Sequence, residues 1–421
     1  MELRLFEKGK LNPGMLKLDL FCKGIRIDES CRLDEDGRHI MRLRAGLGSG
    51  LEVEIPEKLW VNVPVLEHFA KDSPYLFKRE NGNYSIWRDG QRITDVKMPH
   101  RPAFYDQKTS SGKLMRRIGQ LQGTYLGIYS SGPCSFWTKY EGHNCRFCST
   151  GLNIGLQEEE EKTVRDVIEA AAAARKEEGI TFVHFNTGYF EGTGVESVLP
   201  FVEAVVEELG LLVGVQCPPA RDFKIYDRLK EAGCDHLSFC YEIHDPKFFK
   251  EICPGKEKYI SQQRYFDAII YTSDLWCRDP FGKGHISGEI IAGLEPYEST
   301  HKAIDWITSV GAFPTVCVFR PIPGTNYGDY PSPKAEDLVP IFAHMYEACM
   351  EHDIPMGIAP NLQISIVLQP MEGRYFLENR NKYRAKEMKL SLARQAVKVV
   401  FNNRLKKAKR RAAKKAERAG G

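Results

Sequence analysis

At 421 residues, with 42% hydrophobic and 27% charged side chains, the chain has the composition of a globular protein large enough to bury a sizeable core, as one large α/β domain with additions or two to three smaller ones. Its longest apolar runs are too short to cross a bilayer, and Met1-Glu-Leu-Arg-Leu-Phe lacks a signal peptide's apolar core, so we expect a cytoplasmic protein with no membrane segment, its twelve cysteines reduced. The net charge of +3 hides an asymmetry: nine basic residues and one acidic one between Arg404 and Arg418 leave the rest of the chain at −5, which excludes a body that binds nucleic acid by charge and leaves only the tail for such a contact.

Residues 1–115 read as an α+β extension. Leu51-Glu-Val-Glu-Ile alternates as a half-buried strand does, Pro56 to His68 reads as a short helix, and Tyr84-Ser-Ile-Trp-Arg-Asp follows a turn signal as another strand. A polar linker between Pro102 and Gly112 ends the extension. From residue 116 to about 370 strands and helices alternate. Expected strands are Tyr125 to Tyr129, Phe182 to Asn186, Leu211 to Gln216, His236 to Glu242, His285 to Gly293 and Thr315 to Phe319, with a further one at Ile354 to Ile358. Expected helices are Glu158 to Lys176, Val195 to Leu209, Asp222 to Ala232, Tyr259 to Leu275, Ser299 to Val310 and Ala335 to His352. At least six βα units in series, with near-continuous apolar strands and no Gly-x-Gly-x-x-Gly, imply a full or partial (β/α) barrel. Residues 371–421 form a C-terminal helix and basic tail, read as a frayed solvated end or as a contact for RNA or another polyanion.

Cys134, Cys145 and Cys148 lie within fifteen residues, in the loop after the first barrel strand, where such a fold places its reactive groups. Three soft thiolates suit iron–sulfur or zinc chemistry. Structural zinc closes its shell with four protein ligands, and no fourth Cys or His follows at ribbon-like spacing; three ligands leave a position open. Cys217, Cys240 and Cys317 read as buried small hydrophobes, His184 and His236 as structural histidines, and His143 as a loop hydrogen-bonding group.

The loop, ending in Cys145-Arg-Phe147-Cys148, resembles that of the radical S-adenosylmethionine (SAM) superfamily, most closely its biotin-synthase and lipoyl-synthase branch. The resemblance implies that Cys134, Cys145 and Cys148 bind three irons of a [4Fe–4S] cluster while SAM chelates the fourth. It implies a SAM site at Phe147, at Gly188, Tyr189 and Glu191 in place of a Gly-Gly-Glu motif, at Ser238 and Glu242 on the fourth strand, at Arg264 for the SAM carboxylate, and at Ile291 and Gly293 near adenine. Phe319-Arg-Pro-Ile-Pro-Gly324-Thr325 resembles the sixth-strand end of the same branch. The first cysteine gap departs from the family's three residues: it has ten, Ser135 to Asn144, a length closer to that in the catalytic subunit of Elongator. By this resemblance the chain is an oxygen-sensitive enzyme. A reduced cluster cleaves SAM to a 5′-deoxyadenosyl radical that takes hydrogen from a small molecule, with a flavodoxin or ferredoxin as electron donor. Modification of RNA is the alternative favoured by the long gap and basic tail. A non-catalytic metal or electron-transfer protein is the alternative of another class. Residues 50–115 are expected to cover the barrel mouth.

Overall fold

The computed structural model describes residues 4–33, 50–191, 194–279 and 282–419. A small hairpin, β1 (Phe6–Glu7) and β2 (Lys10–Leu11), leads into helix α1 (Pro13–Lys23). The Asn12 side chain accepts from the Met15 N–H and Pro13 fills the first helical position, so the start of α1 is fixed locally. β3 (Arg26–Ile27) follows. β4 (Leu51–Ile55) and β5 (Leu59–Val63) pair as a hairpin; β6 (Tyr75–Glu80), β7 (Asn83–Arg88) and β8 (Gln91–Val96) join β3 in a four-stranded sheet. α1 is buried along nearly its whole length, including Lys17, whose Nζ lies 2.9 Å from Glu372.

A short helix, α2 (Met115–Ile118), and β9 (Gln120–Leu121) open the second sheet. Its remaining strands are β10 (Leu126–Tyr129), β11 (Phe182–Asn186), β12 (Leu212–Gln216), β13 (His236–Glu242), β14 (Ile286–Ala292) and β15 (Phe313–Val318). Between β10 and β11 come α3 (Ser135–Thr138), α4 (Thr150–Asn153) and α5 (Val164–Glu178); α6 (Leu199–Ala204) and α7 (Lys224–Glu231) make the next two crossovers. α8 (Pro246–Ile252), α9 (Pro254–Tyr259) and α10 (Gln262–Cys277) lie between β13 and β14; α11 (Tyr297–Ser309) and α12 (Ala335–Glu351) flank β15, and α13 (Arg384–Ala419) ends the chain. β10 to β15 pair in chain order and in parallel, β9 runs antiparallel to β10, and β15 and β9 are the two edges. The architecture is therefore a curled half-barrel, the partial form of the expected (β/α) barrel, with an α+β extension and a basic C-terminal helix. The extension and half-barrel share one hydrophobic core. β14 is buried at every residue, as a parallel strand covered on both faces should be.

Four elements depart from the sequence expectation. Residues Pro56 to His68 form no α-helix: Pro56–Lys58 is a tight turn, and Leu59 to Val63, with β-branched Val61 and Val63, then pair with β4. The helix expected from Glu158 starts at Val164. Thr163 and Asp166 form its capping box, while Glu158 and Lys162 lie under β10, the lysine donating to the Tyr129 carbonyl over 2.7 Å. Two short helices not expected from the sequence, α8 and α9, each started by a proline, precede the helix expected over Tyr259 to Leu275, which forms as α10 after Ser261 at φ +77°. Ile354 to Ile358 pairs with no strand: Asp353 and Gly357 have positive φ and Pro355 has no N–H to donate.

Beyond β14, Glu295 accepts from the backbone N–H groups of His244 (2.9 Å) and Asp245 (2.7 Å) and so ties the β13 exit loop to β14. Burial pushes this carboxyl up to about 7 from its ordinary 4.5, against those two hydrogen bonds. A raised folded-state value favours the fold at low pH, and that contribution disappears as pH rises from about 4.5 to about 7. Glu295→Gln is therefore expected to remove about 3 kcal/mol of pH-dependent stability across that window, read as the difference between variant and wild-type denaturant midpoints.

Candidate active site

The loop leaving β10 is built around its cysteines. Cys134 precedes α3, and its carbonyl accepts from the Trp137 N–H at 2.8 Å. Its sulfur accepts from the Tyr189 N–H at 3.4 Å, and the Ser135 N–H returns a bond to the Tyr189 carbonyl at 2.9 Å, so the segment after β11 is laced to the first cysteine. Gly188 makes this approach feasible. A Cβ there would stand 2.7 Å from Cys134 Cβ and 2.5 Å from Tyr129 Oη. Cys145 and Cys148 share a tight turn, closed by the Cys148 N–H to the Cys145 carbonyl at 3.0 Å. The Cys148 sulfur meets Thr150 Oγ1 at 3.0 Å and the Thr150 N–H at 3.5 Å.

These donors suit thiolate sulfurs, which as anions need hydrogen bonds once out of water. Without a metal, burial pushes Cys134 up to about 12 and raises Cys148. Cys145 is held low instead, by a hydrogen bond from Cys253 and, against burial, by the field of Lys256. Among the described residues, the group of three potential ligands whose atoms lie within 4.8 Å of one another is His100, Glu177 and Glu178, a largely exposed cluster.

The ten residues between the first two cysteines form an aromatic pile. Phe136 stacks on Tyr189 at 4.6 Å between centroids, and Tyr140 stacks on Tyr259 of α9 at 4.3 Å. His143 turns an edge to Tyr259 and has its ring nitrogens near the Glu141 carbonyl (3.0 Å) and Lys258 Nζ (3.4 Å). Gly255 leaves room for this pile: a Cβ there would stand 2.7 Å from the Phe136 ring. The loop is further held by the Arg146 N–H to the Ile252 carbonyl and by Asn144 to Asn326.

The residues singled out for the SAM site fall into two groups. Phe147 and Ile291 line a small cavity of about 20 Å³ with Phe21, Cys317, Val318, Phe319, Arg320 and Ile366, at the C-terminal edge of β14 and β15. Ser238 and Glu242 belong to β13 and Gly293 follows β14 with φ +102°. Ser238 donates to Glu289 at 3.2 Å. Glu242 sits at a bulge with φ +70° and pairs with Lys256 at 3.0 Å. Glu191 and Arg264 are engaged elsewhere. Glu191 is exposed at the rim, bound by Lys139 and by the Tyr140 hydroxyl at 3.0 Å. Arg264 donates to the Ala220 carbonyl at 2.8 Å and lies 3.9 Å over the Phe223 ring.

Three participants have no signal in the sequence. Cys253 lies against Cys145 although 108 residues separate them. Lys256 donates to the Cys240 carbonyl and Glu242, and against burial the combined fields of Glu242, Tyr265, Cys145 and Cys253 hold its ammonium charged. Glu289, interior on β14, accepts from Gln216, Ser238, Cys240 and Cys317. Of these, Cys317 is buried as expected and Cys240 only partly so, and both are hydrogen-bonding groups as well as filler.

No family model matches the chain. Over 303 residues it is 26% identical to a bacteriochlorophyllide c C-7(1)-hydroxylase of Chlorobaculum limnaeum, an alignment covering 65% of this chain and 73% of that enzyme. Among solved structures it is similar to methylornithine synthase (16% identity, TM-score 0.40, 64% of this chain and 81% of that one). It is also similar to HydG, a maturase of the [FeFe]-hydrogenase (12% identity, TM-score 0.40, 70% and 81%). No helix among the described residues is long and apolar enough to cross a membrane. A cysteine loop laced to the second strand at the carboxyl edge of a curled parallel half-barrel is the arrangement that the resemblance to the radical SAM superfamily implies.

Proposed function

We propose that Cys134, Cys145 and Cys148 hold three irons of a [4Fe–4S] cluster, and that SAM occupies the fourth iron and acts on a small molecule bound in the cavity beside Phe147. The observation that carries this reading is the cradle at Gly188: the segment after β11 approaches Cys134 so closely that no Cβ fits, and it offers backbone polar groups beside the first ligand. When bound, the cluster supplies one electron to the SAM sulfonium, giving methionine and a 5′-deoxyadenosyl radical. The chain's own residues bind, orient and shield. Gly188 and Tyr189 flank the methionine end, Ser238 and Glu242 present polar groups from β13, and Ile291 and Gly293 give adenine an apolar edge with open backbone.

The carboxylate-binding role assigned by resemblance to Arg264 suits Lys256 better. This buried ammonium lies in the field of Cys145 and is paired with Glu242, whereas the guanidinium of Arg264 lies against Ala220 and Phe223. Glu191 serves the aromatic pile at the rim. Water is excluded from two sides. Phe21 of α1 and Ile366 enter the cavity wall, and Arg320 is held by the Asn62 carbonyl at 2.8 Å and by Glu67 at 3.7 Å, both in the extension.

The lining of Phe21, Phe147, Ile291, Val318, Phe319 and Ile366 is predominantly apolar and suits the apolar edge of a substrate. The hydroxylase relative acts on a bacteriochlorophyllide, and we propose a substrate of that kind, a carboxylated macrocycle, with a flavodoxin- or ferredoxin-type reductant. The test is anaerobic reconstitution with iron and sulfide, followed by dithionite and SAM. Methionine and 5′-deoxyadenosine should form in equal amounts. Formation of neither, with a fully loaded cluster, would overturn the reading.

A further inference from the structure

The C-terminal helix carries two features that the proposed chemistry does not use. Its inner face is fastened to the body. Phe401 and Ala408 are buried, and Arg394 donates to the Met356 carbonyl at 3.0 Å. Arg404 binds Asp235 at 2.8 and 3.0 Å and the Leu211 carbonyl at 2.7 Å. Gly210 lets the helix in, since a Cβ there would stand 2.7 Å from Ala408 Cβ. These anchors fix the rotation of the helix about its axis. The opposite face therefore points outward by construction. Leu211 and Asp235 immediately precede β12 and β13, so the helix lies at the N-terminal edge of the half-barrel, away from the cysteine loop.

That outward face is apolar first and basic afterwards. Met388, Leu392, Val399 and Val400 are 66%, 68%, 61% and 69% exposed. At 100° per residue, Met388, Leu392 and Val399 fall within a ~40° arc, and Val400 lies ~80° beyond Leu392. Lys406 and Arg410 continue the same line, and Lys389, Lys398, Lys407 and Lys409 flank it, exposed. From Arg384 to Arg418 the sequence has fourteen basic residues and two acidic ones.

We propose that this face of α13 docks on an anionic lipid surface, with the apolar stripe in the headgroup boundary and the basic half on lipid phosphates. A helix with a large basic excess and a narrow apolar stripe lies in such an interface rather than across it. Charge argues against the other occupants. A second copy of the helix would bring one row of outward cations against another such row. RNA would satisfy the cations but leave four exposed aliphatic side chains without a function, and the outward stripe has no aromatic ring on which bases stack. Docking by this edge leaves the cavity mouth open to solvent or to the bilayer rim.

The test uses the full chain and sedimentation with vesicles of phosphatidylcholine alone, or of phosphatidylcholine mixed with phosphatidylglycerol. Binding to the mixed vesicles is expected to exceed that to the neutral ones by at least about tenfold and to fall with salt. Two variants separate the causes: M388S/L392S/V399S/V400S and K406E/K407E/R410E. All seven positions are exposed and none belongs to the anchors, so unchanged melting curves will confirm that both variants fold. Each is expected to lose at least about tenfold in partitioning to the mixed vesicles. Three outcomes would overturn the proposal: no preference for anionic vesicles; unaltered vesicle binding by the apolar variant together with tight binding of poly(U), which would mark a polyanion site; or a concentration-dependent dimer that the apolar variant abolishes.

Discussion

Alanine in place of Cys134, Cys145 or Cys148 is expected to abolish 5′-deoxyadenosine formation and to strip most of the iron, while alanine in place of Cys253 leaves both intact. The two halves of this expectation test different things. The first follows from ligand number: with three protein thiolates each iron they hold has one, and losing any one opens a second corner of the cluster to solvent and exchange. The second asks whether Cys253 is itself a ligand. It lies against Cys145, and a protein with four cysteinyl corners would have nowhere for SAM to chelate. With three ligands assigned, Cys253 is a neighbour that donates to the Cys145 sulfur and helps hold it low. Its removal should alter the cluster's reduction potential through the lost hydrogen bond and leave the iron count unchanged. Iron analysis and a single-turnover assay on the four variants decide between these roles. Equal iron loss from Cys253→Ala would make it a ligand.

Lys17→Met is expected to destabilise the protein by about 3–5 kcal/mol, and Glu372→Leu by a similar amount, while the double variant recovers most of the loss. Lys17 is 0% exposed and Glu372 2%, and the pair is closed by bonds of 2.9 and 3.1 Å plus one from Lys17 to the Ile364 carbonyl. Burial pushes the ammonium down and the carboxyl up, and their mutual attraction offsets only part of that. Removing one partner strands a charge where water cannot reach it. Removing both lets two apolar side chains of similar volume pack instead. The pair also joins α1, which sends Phe21 into the cavity wall, to the segment after Ile366, another part of that wall. Single variants should therefore lose substrate turnover as well as stability. The measurements are urea midpoints for the two singles and the double, and a double that stayed as unstable as the singles would show that the loss does not come from a stranded charge.

The half-barrel was legible because its strands are short apolar runs punctuated by helices of period 3.6, and that pattern does not depend on distant contacts. The cysteine loop was legible for the same reason: its ligands are close in sequence. What stayed hidden was set by the far ends of the chain meeting. Lys17 finds Glu372 across 355 positions, and Cys253 reaches Cys145 only because two proline-started helices, α8 and α9, carry it there. Glu289 is an acid inside an apolar strand, and nothing local shows that four neutral donors surround it. Arg264 is the converse case. A basic residue on the right helix after the fourth strand looks suited to a carboxylate, yet the turn at Ser261 starts α10 late and sends the side chain to Ala220 and Phe223. The helix expected before His68 does not form, because a proline that starts a turn reads much like one that starts a helix.

The most direct test is Mössbauer spectroscopy of protein reconstituted anaerobically with ⁵⁷Fe, recorded with and without SAM. The expected spectrum is that of a four-iron cluster in which one iron, and only one, changes its isomer shift when SAM is added, in wild type and in Cys253→Ala alike. Bound zinc in place of iron, or four irons that all ignore SAM, would refute the three-cysteine cluster with an open corner.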